Sequence, residues 1–332
     1  MLTILDSIPN GLLNVSSNNL YQILDGPTLI HLSGKRKEPL FVSVLLHGNE
    51  NSGFIAMQKL LSHYVNKTLP RSLSLFIGNI EAAKHSKRHL DGYCDYNRIW
   101  MKGEYQVNHM AQRVLDEMKS LNVFASIDIH NNTGINPHYA CVTEINNHNL
   151  QLANLFSRIV IYFTKPEGTL TKAFTPICPS VTVECGQPGH LFGVDHVYNF
   201  LDGCLHLSHL PDTPVHKHDM ELYHTVAIIK IPHHATFGFN SDQANITLRE
   251  DLDHLNFRLL SPGTPLANID TKQPILFEAW DENGNEVGGY YFRLEHDKIT
   301  IKKEVMPSMF TLNKEIIRQD CLCYFMERYF VD

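Results

Sequence analysis

Between Thr28 and about Gly193, short runs of β-branched and aromatic residues alternate with longer stretches whose apolar residues recur every third and fourth position. That alternation limits the chain to few architectures. PLFVSVLL (39–46) reads as a buried strand. SGFIAMQKLLSHYV (52–65) follows it, with Phe54, Met57, Leu60, Leu61, Tyr64 and Val65 on one helical stripe. SLSLFIGNI (72–80), VFASIDIH (123–130) and SVTVEC (180–185) are predicted strands. QVNHMAQRVLDEMKSL (106–121) is a predicted helix with Val107, Met110, Val114, Leu115 and Met118 on its inner face. Strands alternating with helices imply an α/β domain, its sheet largely parallel and covered by helices on both faces.

The pattern changes after about residue 210. LPDTPVHKHD (210–219) is turn-rich and polar, as a boundary loop is. Beyond it TVAIIKIP (225–232), FRLL (257–260), PILFEAW (274–280), VGGYYFRL (287–294) and KITIKKEV (298–305) are predicted strands. The turn signals SPG (261–263) and ENG (282–284) separate them, so the expected second domain is small, all-β and closed by hairpins. A length of 332 residues suits this division into residues 1–218 and 219–332.

Composition excludes several classes. At 43% hydrophobic residues the chain can bury a core. Its formal net charge, 28 − 35 = −7, leaves no basic surface for a phosphate backbone, so nucleic acid is not an expected partner. No apolar run reaches the roughly 18 residues of a membrane span. The start, MLTILDSIPN, lacks the basic and apolar pattern of a signal peptide. Seven scattered cysteines without a CxxC read as reduced thiols in a cytoplasmic protein. Twenty histidines invite a metal hypothesis and supply many false ligands.

Three predicted strands end in metal-binding residue types. The first delivers His47 and, across HGNE, Glu50; the second delivers His130; the third delivers Glu184. Ligands in open α/β sheets sit outside the carboxyl ends of strands, so these ends converge on one candidate site. Two histidines and one of the carboxylates leave a coordination position of zinc open for water, and another carboxylate nearby can take its proton. A carboxylate inside the apolar run VTVEC is costly without a partner, which singles out Glu184. Asp128 shares a strand face with His130 and is placed to orient it.

HGNE (47–50), DYNR (95–98), DIHNNTG (128–134) and VECG (183–186), in that order, resemble the succinylglutamate desuccinylase/aspartoacylase family of the zinc carboxypeptidase superfamily. Asn79, Ala82 and Arg88 leading into Asn97-Arg98 resemble its pattern too, and NFRLLSPGTPLA (256–267) resembles its β-domain. The resemblance implies a zinc-carboxypeptidase-like mixed sheet, one Zn2+ per chain on His47, Glu50 and His130, and Glu184 as general base. It gives Arg88 the scissile carbonyl, Arg98 with Asn97 a substrate carboxylate, and Asn131 a place in the substrate-lining loop. Tyr290, or its neighbour Tyr291, resembles a tyrosine presented to substrate by a second domain that caps the mouth of the site. The implied reaction is hydrolysis of the linear amide of a small N-acylated amino acid; the alternatives are a metallocarboxypeptidase acting on short peptides and a catalytically silent binding protein.

Where aspartoacylases carry a further substrate-binding arginine, this chain has Phe174, with Lys172 nearby. The resemblance therefore does not imply specificity for N-acetylaspartate, and which acyl group and which amino acid are taken stays open. His206, His209, His216, His218, His224, His233 and His234 read as a solvated boundary in preference to a second metal site. Cys185 points away from its neighbour Glu184 on a strand, which suits packing in the core.

Overall fold

The computed structural model describes residues 1–240, 244–270, 272 and 274–330. They form two compact units, residues 1–131 with 138–221, and residues 132–137 with 222–332.

The first unit contains strands β1 (Thr3–Leu5), β2 (Thr28–Leu32), β3 (Gly34–Val44), β4 (Leu69–Ile77), β5 (Ala125–His130), β6 (Tyr139–Val142), β7 (Ile159–Tyr162) and β8 (Ser180–Glu184). Its helices are α1 (Ser52–His63), α2 (Ile80–Lys84), α3 (Gln106–Ser120), α4 (Asn147–Phe156), α5 (Leu170–Phe174) and α6 (Leu191–His206). The strand order is β1-β2-β4-β3-β5-β8-β6-β7, antiparallel at β2–β4 and β8–β6 and parallel elsewhere. This is the mixed, largely parallel sheet expected.

The three central strands show why the sheet is covered on both sides. Val42 and Val44 of β3, Ile127 and Ile129 of β5, and Val181 and Val183 of β8 are fully or almost fully buried. A side chain on Gly53 of α1 would clash with Ile129 and Val44, so glycine there lets the helix lie close to the sheet. The other face is more polar: Ser43, Ser126, Asp128, Ser180 and Thr182 are buried there beside Phe41. Phe41 stacks on Phe174 of α5 with ring centroids 4.5 Å apart, and Trp100 closes over Phe174 at 6.2 Å. Phe174, at the place where aspartoacylases carry a further substrate-binding arginine, is thus a core residue with no exposed surface.

The second unit pairs β9 (Glu221–Lys230) antiparallel with β13 (Glu278–Trp280) and β17 (Cys323–Arg328), and β17 with β16 (Met306–Ser308). A separate five-stranded sheet runs β10 (Phe237–Phe239), β11 (Ile246–Leu248), β12 (Pro265–Ile269), β15 (Lys298–Ile301), β14 (Phe292–Glu295). Short helices α7 (Gly288–Tyr291) and α8 (Lys314–Gln319) complete it. Ile229, Leu266, Ile299, Ile301, Phe310 and Phe325 lie at its core.

Of three strand expectations here, FRLL fails, while VGGYYFRL is a strand only from Phe292 and PILFEAW only at its end, each for local reasons. FRLL (257–260) follows a 3-10 turn at Leu252–Leu255, and Phe257 has φ 56°, so pairing is confined to a single bridge from Leu260 to Val305. Within VGGYYFRL, residues 288–291 form a helical turn because Glu286 Oε1 accepts the backbone N–H groups of Gly288 and Ala279. Tyr290 and Tyr291 therefore stand on α7, not on a strand. PILFEAW pairs only through Glu278–Trp280. Residues 132–137 join this unit through Asn256, whose amide donates to Ile135 O and Phe310 O.

Candidate metal centre and active site

Beyond β3 the chain turns at Leu45, whose φ of 57° is left-handed. Gly48 then passes so close to Ala82 that a Cβ would lie 2.1 Å from its carbonyl carbon. Glu50 N–H donates to His47 O at 3.1 Å, and this tight turn returns the Glu50 carboxylate to His47. β5 ends on His130, and β8, its parallel neighbour, ends on Glu184 in register with His130. Register partners project to the same face, so base candidate and ligand candidate leave the sheet together.

His47 Nδ1 lies 2.8 Å from Glu50 Oε1, His130 Nδ1 lies 2.8 Å from Glu50 Oε2, and the two Nδ1 atoms are 3.2 Å apart. All three residues are buried, and among the described residues they are the one group of three or more donors within 4.8 Å of one another. The outer ring nitrogens meet carboxylates: His47 Nε2 is 3.0 Å from Asp95 Oδ1, and His130 Nε2 is 2.8 Å from Asp128 Oδ2. A carboxylate accepting from Nε2–H fixes the tautomer and leaves the Nδ1 lone pair turned inward on both rings. Asp128 thus takes the orienting position read from its spacing. Asp95 is its counterpart on the other ring.

The electrostatics follow from this crowding. Burial opposes ionisation of Glu50, yet His47 and His130 hold its carboxyl far below the ordinary value. Asp95 is likewise held low against burial, by His47 and Arg88. Burial works to neutralise His130, but Asp128 and Glu50 carry its pKa well above 6.5. For His47, burial and Arg88 lower the pKa, and Glu50 with Asp95 outweigh them. Glu50, Asp95 and Asp128 thus set three carboxylates around two imidazoles and the Arg88 guanidinium, and in the absence of a metal the protonated imidazoles balance their charge. Two inward imidazole nitrogens and one carboxylate are the donor set of an open zinc site, and the residues present fit that ion.

Arg88 is bound into the same group, its Nη2 donating to Asp95 Oδ2 at 3.1 Å and its Nη1 3.8 Å from Glu50 Oε1. Asp95 Oδ1 also accepts the Asn97 backbone N–H at 2.7 Å. One carboxylate therefore joins a ligand histidine, Arg88 and the backbone of the Asn97-Arg98 loop. Nothing in the reading of DYNR assigned it that role.

The catalytic-domain model of the succinylglutamate desuccinylase/aspartoacylase family matches residues 38–209, just over half of the chain. The chain belongs to that family. Solved structures of similar fold include murine aminoacylase 3, 16% identical with a TM-score of 0.56 over 90% of this chain and 97% of that one. Others are a succinylglutamate desuccinylase/aspartoacylase from Rhodobacter sphaeroides (12% identical, TM-score 0.58, 90% and 88% covered) and the succinylglutamate desuccinylase from Chromobacterium violaceum (14%, 0.55, 89% and 86%). At these identities the likeness is one of fold. No curated protein sequence matches significantly.

The remaining site residues expected from the family fall in different settings. Asn97 is buried, its Oδ1 accepting Leu170 N–H at 3.0 Å and its Nδ2 3.4 Å from His130 Nε2. Arg98, half-buried, donates through Nη1 to Asn97 O at 2.7 Å. Asn131 follows His130 and donates its backbone N–H to Glu50 Oε2 at 3.1 Å. Tyr290 belongs to the second unit, where it is exposed and Lys303 Nζ stands 4.7 Å over its ring. Lys172 is turned to Glu167 Oε2 at 2.8 Å and Thr164 O at 3.0 Å. Cys185 is fully buried and its thiol donates to His130 O at 3.0 Å. His216 and His218 lie with ring centroids 5.1 Å apart, and His224 faces Glu282; neither pair gathers a third donor among the described residues.

Proposed function

We propose that this family member is a zinc-dependent deacylase that hydrolyses the linear amide of a small N-acylated amino acid. The inward-facing group His47, Glu50 and His130, with Glu184 in register beside His130, carries the reading. A divalent ion held there lowers the pKa of water to roughly 7 and polarises a carbonyl. Glu184 accepts a proton from the attacking water and returns it to the amide nitrogen as the C–N bond breaks, leaving a carboxylate and an amine. Arg88, held at the edge of the group by Asp95, donates to the carbonyl oxygen as negative charge develops on it. Arg98, its backbone fixed by the Asn97 turn, grips the substrate carboxylate; a planar guanidinium matches that fork. Tyr290 is included as a substrate contact on the strength of the resemblance alone.

Phe174 in the core and Lys172 paired with Glu167 support a substrate without a second carboxylate at that place. A cytoplasmic location belongs to the same proposal. The absence of disulfides among the seven cysteines is in keeping with it, and no helix among the described residues is long and apolar enough to cross a membrane.

The test is a hydrolysis screen of the zinc-loaded chain over N-acyl amino acids, dipeptides and longer peptides. N-acyl amino acids are expected to be cleaved and peptides beyond two or three residues to be refused. Equal cleavage of long peptides would replace the reading with a metallocarboxypeptidase. Glu184→Gln is expected to keep zinc and to slow turnover roughly 10²–10⁴-fold, the range general-base catalysis supplies.

A further inference from the structure

Asn131 lies directly after a ligand candidate, and its side chain has no outlet. Its Oδ1 accepts the Ser52 N–H at 3.1 Å, and its Nδ2 donates to Gly186 O at 2.7 Å and Cys185 Sγ at 3.1 Å. Both amide protons and the oxygen thus have protein partners, and Asn131 is only 4% exposed. The orientation is fixed by its surroundings. A flipped amide would set oxygen against Gly186 O and N–H against Ser52 N–H.

We infer that Asn131 is a positioning residue, which clamps the turn bearing Glu50 to the strand end bearing Glu184, and not a substrate contact. The partners it joins come from three places in the chain. Ser52 is the first residue of α1, where helical N–H groups have no partner within the helix. The N-cap residue Asn51 offers no side-chain hydrogen bond, so Asn131 supplies that acceptor from 79 residues away. Glu50 stands two residues before that helix start, and the Asn131 backbone N–H fixes its Oε2, the oxygen that faces His130 Nδ1.

On the other side, Gly186 lies two residues after Glu184, and its φ of 79° marks where the chain turns away from β8. Asn131 Nδ2 holds the carbonyl of that turn. Ser52 completes the clamp from its own side, its Oγ accepting Gly189 N–H at 3.0 Å. Cys185 N–H donates to His130 O at 3.0 Å, locking the ends of β5 and β8 together. Beside the β5–β8 ladder, one amide thus reaches both the start of α1, two residues after Glu50, and the turn two residues after Glu184. Displacements near 1 Å at a reacting centre cost about a hundredfold in rate, so the clamp bears on turnover without touching substrate.

The test uses Asn131→Ala and Asn131→Asp in the full chain. The second keeps the size and the acceptor for Ser52 N–H and loses both donors. For both variants kcat is expected to fall roughly 10- to 100-fold, with KM within about twofold of the parent. Asn131→Ala is expected to bind zinc roughly tenfold more weakly in a chelator competition, the lower end of what supporting residues contribute. A raised KM with unchanged kcat and zinc affinity would make Asn131 a substrate contact and overturn the inference. A lowered Tm with unchanged kcat and zinc affinity at 25 °C would reduce it to ordinary structural support and overturn it equally. Should Asn131→Ala not fold, the kcat and KM of Asn131→Asp decide. The turnover arm rests on the deacylase reading; if the parent chain hydrolyses no N-acyl amino acid, that reading fails and the zinc titration still tests the clamp.

Discussion

Asp128→Asn isolates what a buried charge contributes to the metal group. Asp128 has no exposed surface, and its Oδ2 meets His130 Nε2 at 2.8 Å. Its other oxygen has no hydrogen-bond partner among the described residues, and neither has the Oγ of Ser43, its register partner on β3. An amide of the same shape can keep Oδ1 on His130 and turn its NH2 toward that unpaired side, so geometry survives and only the charge is lost. Replacing a carboxylate that supports a ligating histidine costs about 10- to 100-fold in metal affinity, about 1.4–2.7 kcal/mol. Zinc affinity is read by competition with a chromogenic chelator at fixed pH, and folding is checked by the unfolding midpoint of the metal-free chain. Zinc affinity equal to the parent's would refute the view that the carboxylate acts through His130. Loss of the fold would refute the assumption that shape is conserved.

Asp95→Asn removes the partner of both His47 and Arg88, so it is expected to weaken zinc binding and also to lower kcat at saturating zinc, a second effect that Asp128→Asn lacks. The pH dependence of stability should reverse with metal. In the metal-free chain the raised pKa values of His47 and His130 give stabilisation that is full below 6.5 and lost as pH rises through their folded values. The depressed Glu50 and Asp95 give stabilisation present above the ordinary carboxylate range and lost in acid, so metal-free Tm should peak between about pH 4.5 and 6.5. With zinc, which requires neutral imidazoles, Tm should rise from pH 6 to 8; parallel profiles would contradict this. Phe174→Ala should destabilise by about 3–5 kcal/mol in urea unfolding and leave zinc binding intact, because the ring fills the core and does not face the metal.

The central strands were legible because both their faces are buried, which makes 39–46, 123–130 and 180–185 stand out as apolar or β-branched runs. Their ends place His47, Glu50 and His130 in one group, with Glu184 in register beside His130; of the four, a carboxylate inside the apolar run VTVEC stands out most, because it is costly without a partner. α6 went unread, although Val194, Val197, Leu201, Cys204 and Leu205 keep helical spacing, because Gly193 and Gly203 weaken the helical signal. Gly193 is there for contact, since a Cβ would lie 2.2 Å from Cys185 O. β6 and β7, four residues each, are too short to show a period. In the second unit VGGYYFRL and FRLL turn on side-chain hydrogen bonds, Glu286 to the N–H of Gly288 and Asn256 to Phe310, which no periodicity reveals. Asp95 escaped notice because its contact with His47 spans 48 residues of sequence. Asp128 did not, since two residues along a strand return to the same face.

The account stands or falls on the metal. Elemental analysis of the purified chain and of His130→Ala, after dialysis against metal-free buffer and reloading with zinc, measures this directly. The parent is expected to hold about one zinc per chain, as an open site of two histidines and a carboxylate does, and His130→Ala to lose most of it. A His130→Ala variant that keeps its full zinc content would contradict the site.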